Sequence, residues 1–202
     1  MSSIAPTCAL SGFWTARLSP EKRRIVSEMR DGQYMPDTVK DLLYITVVNR
    51  YESGAIPALG FVRGFGLKKG AIAGSVAHDS HNIVAVGTSD EALATVVNAV
   101  IAARGGVAAT DGDGHTHLLP LPIAGLMSQQ NGRELARDYA ELDAWVKSSL
   151  GCVLKAPFMT LSFLALPVIP KLKMTDKGLF DVARFDYVPV EKAFGEAGYS
   201  GG

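Results

Sequence analysis

The stretch from Leu42 to Thr88 constrains the fold most, because it is a succession of apolar runs separated by glycine-bearing turns. LLYITVVNRY (residues 42–51) is rich in β-branched and aromatic side chains, which suit a pleated, half-buried surface, and Glu52-Ser53-Gly54 closes it. ALGFVRGFGLKKGAIAGSVA (58–77) reads as two extended segments joined at Lys68-Lys69-Gly70, the pattern of a hairpin. IVAVGT (83–88) is short, apolar and bounded by turn residues, as expected of a strand buried on both faces.

Helices alternate with this material. In SDEALATVVNAVIAARGG (89–106), Ser89 caps the start, Asp90 and Glu91 suit the positive end of the helix dipole, and Gly105-Gly106 ends it. Leu93, Val96, Val97, Val100 and Ile101 recur at three and four, giving one apolar face. GVAAT (106–110), the turn DGDG and HTHLLPLPIAG (115–125) form a further hairpin, and a second helix is expected over about 128–150, with Leu135, Tyr139, Leu142 and Trp145 in one stripe. Near the start, Ser19-Pro20-Glu21 predicts a helix through Ile25 and Met29 that stops at Asp31-Gly32. After the apolar TLSFLALPVIP (160–170), the turn TDKG leads to RFDYVPV (184–190), an edge strand because of Pro189. The expected class is α+β: an antiparallel or mixed sheet of hairpin-connected strands packed against two long helices. Residues 1–38 form a divergent amino-terminal segment, 39–190 the domain proper, and 191–202 a frayed tail.

Composition narrows the function classes. The 20 basic and 20 acidic side chains cancel, which gives no electrostatic ground for nucleic acid or an anionic membrane as partner. No apolar run has the length of a membrane span, and the first residues lack the pattern of a secretory leader. Cys8 and Cys152 are far apart and form no CxxC pair, which fits a reducing, cytoplasmic setting.

Chemistry rests mainly on four histidines, His78, His81, His115 and His117. His115-x-His117 has the spacing that opens the metal site of amidohydrolase-type barrels. Such a site needs further ligands from later strands, and no histidine follows His117, so two solvent-facing residues after a turn are the simpler reading. SVAHDSHN places Ser75, His78, Asp79, Ser80, His81 and Asn82 between apolar strands, where a polar cluster is costly unless paired. In a regular strand His78 and His81 would face opposite sides; in a turn they converge, and metal ligation by the two, hydrogen bonding to a purine edge or contact with another domain becomes feasible. The alternative is a self-satisfied turn in which Asp79 and Asn82 cap backbone amides. PFMTLSFLALPVIP (157–170) is either core or an interface for docking or self-association.

Three longer blocks resemble a known family. NRY followed by GFVRGFGLKKGAIAGSVAHDSHNIVAVGT (60–88), LPLPIAGLMS (119–128) and PFMTLSFLALPVIPKLKMTDKGLFDV (157–182) are similar, in order, to the carboxy-terminal part of bacterial adenine deaminases. The resemblance implies purine salvage, adenine and water giving hypoxanthine and ammonia, by a metal-activated water (Mn, Fe or Zn) in a barrel that precedes the matched region. No metal ligand transfers to this chain, so a domain inactive without a barrel partner is expected. The alternative is an independent purine-binding or small-metal-site module built around residues 75–82.

Overall fold

The computed structural model describes residues 15–17, 29–30 and 33–188. In chain order the elements are β1 (Thr15–Arg17), β2 (Met29–Arg30), β3 (Gln33–Tyr34), β4 (Leu43–Val48), β5 (Ala58–Arg63), β6 (Ala71–Gly74), β7 (Ile83–Gly87), α1 (Asp90–Ala102), β8 (Gly106–Thr110), β9 (Thr116–Pro120), α2 (Gly132–Leu150), α3 (Pro157–Phe163), β10 (Leu172–Thr175), β11 (Gly178–Asp181) and β12 (Asp186–Tyr187). The main sheet has the order β1-β5-β4-β7-β6-β8-β9. Its pairings are antiparallel except β1 with β5, so the sheet is mixed as expected. A small sheet, β10-β11-β12, lies beside it with β12 at its edge.

Why this sheet is buried on both faces follows from its side-chain alternation. Leu43, Ile45 and Val47 of β4, Ile72 of β6 and Val84 and Val86 of β7 face one core with Leu142, Val146 and Leu150 of α2 and Phe158 and Leu161 of α3. The opposite core holds Ala71 and Ala73 of β6, Ala85 of β7 and Ala108 of β8 against Leu93, Val96, Val97 and Val100 of α1. The alanines let α1 approach that part of the sheet closely, while Tyr44, Val48, Phe61 and Ile83 fill the rest of the same core. The Ser89 hydroxyl accepts from Ala92 N at the start of α1, and Gly151, at φ 77°, ends α2 in the left-handed region that glycine adopts without strain.

Three expectations are corrected. Residues 58–77 are not a hairpin: β5 pairs with β4, whereas β6 pairs with β7 and β8. The Lys68-Lys69-Gly70 turn is held instead by long-range bonds, Lys68 N donating to Leu150 O at 2.8 Å and Thr88 N to Gly70 O at 2.9 Å. Met29 lies in a strand paired with β3, not in a helix; the rest of that expected helix lies outside the described residues, as do Pro189 and Cys8. The second long helix starts later than expected, capped by the Asn131 side chain, which accepts from Arg133 N and Glu134 N. In the proline-rich segment, Pro157 supplies the first turn of α3, where its missing N–H costs nothing. Among the described residues no helix is long and apolar enough to cross a membrane.

Candidate functional site

Antiparallel pairing sorts the loops into two groups at opposite ends of the sheet. One end receives the chain after β4, between β6 and β7, before β8 and after β9. There Ser75 is buried, and its hydroxyl accepts from Gly106 N at 2.9 Å and donates to Gly125 O at 2.6 Å. The chain then turns through His78, Asp79 and Ser80, closed by His81 N donating to Ala77 O at 2.7 Å, with His81 itself at φ 52°. The buried Asn82 offers Oδ1 to Arg50 N at 3.4 Å.

Two arms extend the site beyond the residues singled out from sequence. Arg50 donates through Nη2 to Ala124 O and to the Tyr51 hydroxyl, and its guanidinium lies 4.9 Å from the centre of the Tyr51 ring. Asn49 accepts from Tyr51 N and Glu52 N and donates to Asp176 at 2.9 Å, which brings in the β10–β11 turn. The site thus gathers all three blocks that resemble the family. Arg50 was missed because only the topology places it beside Asn82; the signal was NRY, after a strand whose last residues lie beside the start of β7.

The turn brings the six predicted residues to one end of the sheet but gives them different tasks. Ser75 and Asn82 are buried and bonded, Asp79 and Ser80 are exposed, and His78 packs on Phe163 with ring centres 5.3 Å apart. His81 Nδ1 and Arg50 Nε are buried without a hydrogen-bond partner. Asn82 takes its backbone amide from Arg50, outside the turn, and not from within it. Among the described residues no three His, Cys, Asp or Glu side chains gather as a metal site.

His115 and His117 sit apart from this end. His115 Nδ1 meets Asp111 at 2.9 Å, and the exposed His117 packs on Trp145 with ring centres 4.3 Å apart. Burial alone would raise the Asp111 pKa, but bonds from Asp113 N and from the side chain and N–H of His115, with the Lys69 charge, bring it down to about 2. Beside His117 a groove of about 480 Å³ runs between β9 and α2, lined by Pro120, Gln130, Asp138, Glu141 and Trp145.

Comparison with known proteins settles the family. The model of the adenine deaminase C-terminal domain matches residues 18–186. The chain belongs to that family. It is 56% identical over 159 residues to an adenine deaminase of Salinibacter ruber, covering 78% of this chain and 29% of the relative. An adenine deaminase of Sulfurovum is 58% identical over 149 residues, covering 74% and 28%. One of Listeria welshimeri is 46% identical over 186 residues, covering 92% and 32%. The chain therefore spans about three tenths of the length of these relatives, as a carboxy-terminal domain does.

Proposed function

We propose that this chain serves adenine deamination in purine salvage, in the cytoplasm, as the carboxy-terminal domain that works with a metal-binding barrel and does not turn over adenine without it. The observation that carries the reading is the 75–82 turn. Ser75 and Asn82 anchor it from below, so that Asp79 and Ser80 stand exposed with His78 and His81 beside them, in a family whose relatives are adenine deaminases. Hydrolysis of adenine adds water at the amino-bearing carbon and expels ammonia. The divalent metal of the family supplies the activated water. The described residues do not form a metal centre of their own, so the role argued for this domain is positioning. Its carboxylate, hydroxyl and imidazoles offer donors and acceptors to a purine edge or to the barrel that holds it.

A second reading takes its support from the unpartnered His81 Nδ1: a stand-alone module that binds a purine, or a metal through His78 and His81 with further ligands from elsewhere. An adenine-to-hypoxanthine assay separates the two. The proposed function predicts no ammonia release by the chain alone, with or without Mn²⁺, and release on addition of a barrel polypeptide. Turnover by the chain alone contradicts it. A bound metal equivalent lost in His78→Ala, or tight adenine binding without turnover, establishes the second reading.

A further inference from the structure

We propose that the sheet end carrying the 75–82 turn is the surface on which this domain docks against the preceding part of an adenine deaminase polypeptide. The proposal rests on the function proposed above for its partner and adds which surface makes the contact.

The partner's size is set by the relatives. The chain covers 28–32% of them and matches their carboxy-terminal domain, so most of each relative precedes the matched region. Four large apolar side chains stand exposed at this end: Tyr51 (66%) and Ile56 (77%) between β4 and β5, and Ile123 (41%) and Met127 (55%) after β9. Single exposed apolar residues need no explanation, but four on the two loops beside one polar turn give this end apolar surface that an interface would bury. The loop that carries Ile123 and Met127 is built rather than loose. Ile123 and Met127 exchange backbone bonds, Leu121 N donates to Gly105 O at 2.9 Å, and Arg50 and Ser75 hold Ala124 and Gly125.

Beneath this surface lie the unpartnered Arg50 Nε and His81 Nδ1. Buried polar groups are nearly always satisfied, and these two nitrogens take no partner from the described residues of this chain. Strand β1 runs parallel to β5 and therefore away from this end, which sets the amino-terminal side of the described sheet toward it. A second copy of the chain fits poorly, because a two-fold interface centred here would bring Arg50 toward its own copy. The partner surface that fits is apolar, with carbonyl or carboxylate acceptors facing Arg50.

A chimera tests this, with the chain standing in place of the matched region of the Salinibacter ruber adenine deaminase. Hydrogen exchange is compared between chimera and isolated chain. Amides of residues 50–56, 75–82 and 121–127 are expected to exchange at least about tenfold more slowly in the chimera, while 37–41, 64–70 and 111–115 exchange alike in both. Ile123→Asp with Met127→Asp should abolish that protection in the chimera and leave the melting temperature of the isolated chain unchanged. Protection at the opposite end, equal exchange everywhere, protection that survives the double substitution, or concentration-dependent protection in the isolated chain each overturns the proposal. Adenine turnover by the chimera reads the deaminase function separately. Protection without turnover keeps the docking surface and sinks the function, and turnover without protection does the reverse.

Discussion

At one end of the main sheet the loops neutralise one another, and at the other they leave side chains over. Residues 37–41, 64–70 and 111–115 make up the first. Asp41 accepts from Gly64 N and Gly66 N at 2.6 and 2.7 Å, Arg63 donates to Lys40 O at 2.6 Å, Lys69 pairs with Asp113 at 2.9 Å, and Asp111 takes His115. Val39 and Val153 are exposed near these charged residues. Residues 49–56, 75–82 and 121–127 make up the second. Ser75, Asn82 and Arg50 secure its backbone, but two buried nitrogens lack partners and four apolar side chains face outward. The polar groups named at the closed end are bonded within the chain, whereas the open end is where the docking proposed above would bury what is left over. The two histidine pairs divide along the same line: His115 and His117 belong with the closed hairpin, His78 and His81 with the open turn.

Breaking the open end's internal packing carries the largest effect. A side chain at Gly105, at φ +126°, would run into the Gly125 α-carbon. Gly105→Ala should therefore cost about 3 kcal/mol by urea denaturation, from strain and overpacking together. An unchanged midpoint would mean that the 121–127 loop is not seated where the structure has it. Ser75→Ala removes the hydroxyl that serves both Gly106 N and Gly125 O. A loss of about 2 kcal/mol is expected, because buried backbone groups are left short of a partner.

The closed end is sharpened by acid. Asp111 titrates near 2 in the fold, below its ordinary 3.8. Its ionised form is therefore favoured by folding, and the associated stability is complete above about pH 4 and vanishes as the pH falls toward about 2. In Asp111→Asn, denaturation midpoints followed across that window should fall less steeply than in the parent; parallel curves would show that the carboxylate contributes nothing. The smallest effect is His115→Ala, within about 0.5 kcal/mol in a thermal melt, since its pair with Asp111 is made by an exposed side chain. A larger loss would show that the hairpin depends on the imidazole.

How much of this was written locally explains what the sequence revealed. Helix α1 was legible because Ser89, the acidic first turn and the three-and-four spacing of Leu93, Val96, Val97 and Val100 are all contained in one segment. The β8–β9 hairpin was legible through its turn DGDG. The partners of β5 and β6 were not. The glycines and lysines between them look like a hairpin turn, yet β4 and β7 lie between the two strands in the sheet. Such choices are made by long-range side-chain fit, which no short window contains. At the site, SVAHDSHN stood out as polar residues between apolar strands. Arg50 and the Ala124-Gly125 loop did not, because they reach the turn only through the closing of the sheet.

The difference between the two ends is tested most directly by adenine turnover in the Salinibacter chimera. His78→Ala with His81→Ala should lower hypoxanthine formation at least about tenfold, the scale of a lost positioning contact, while His115→Ala with His117→Ala stays within about twofold of the parent. Equal activity in all three proteins, or a loss confined to the His115 and His117 pair, would contradict the assignment of function to the open end.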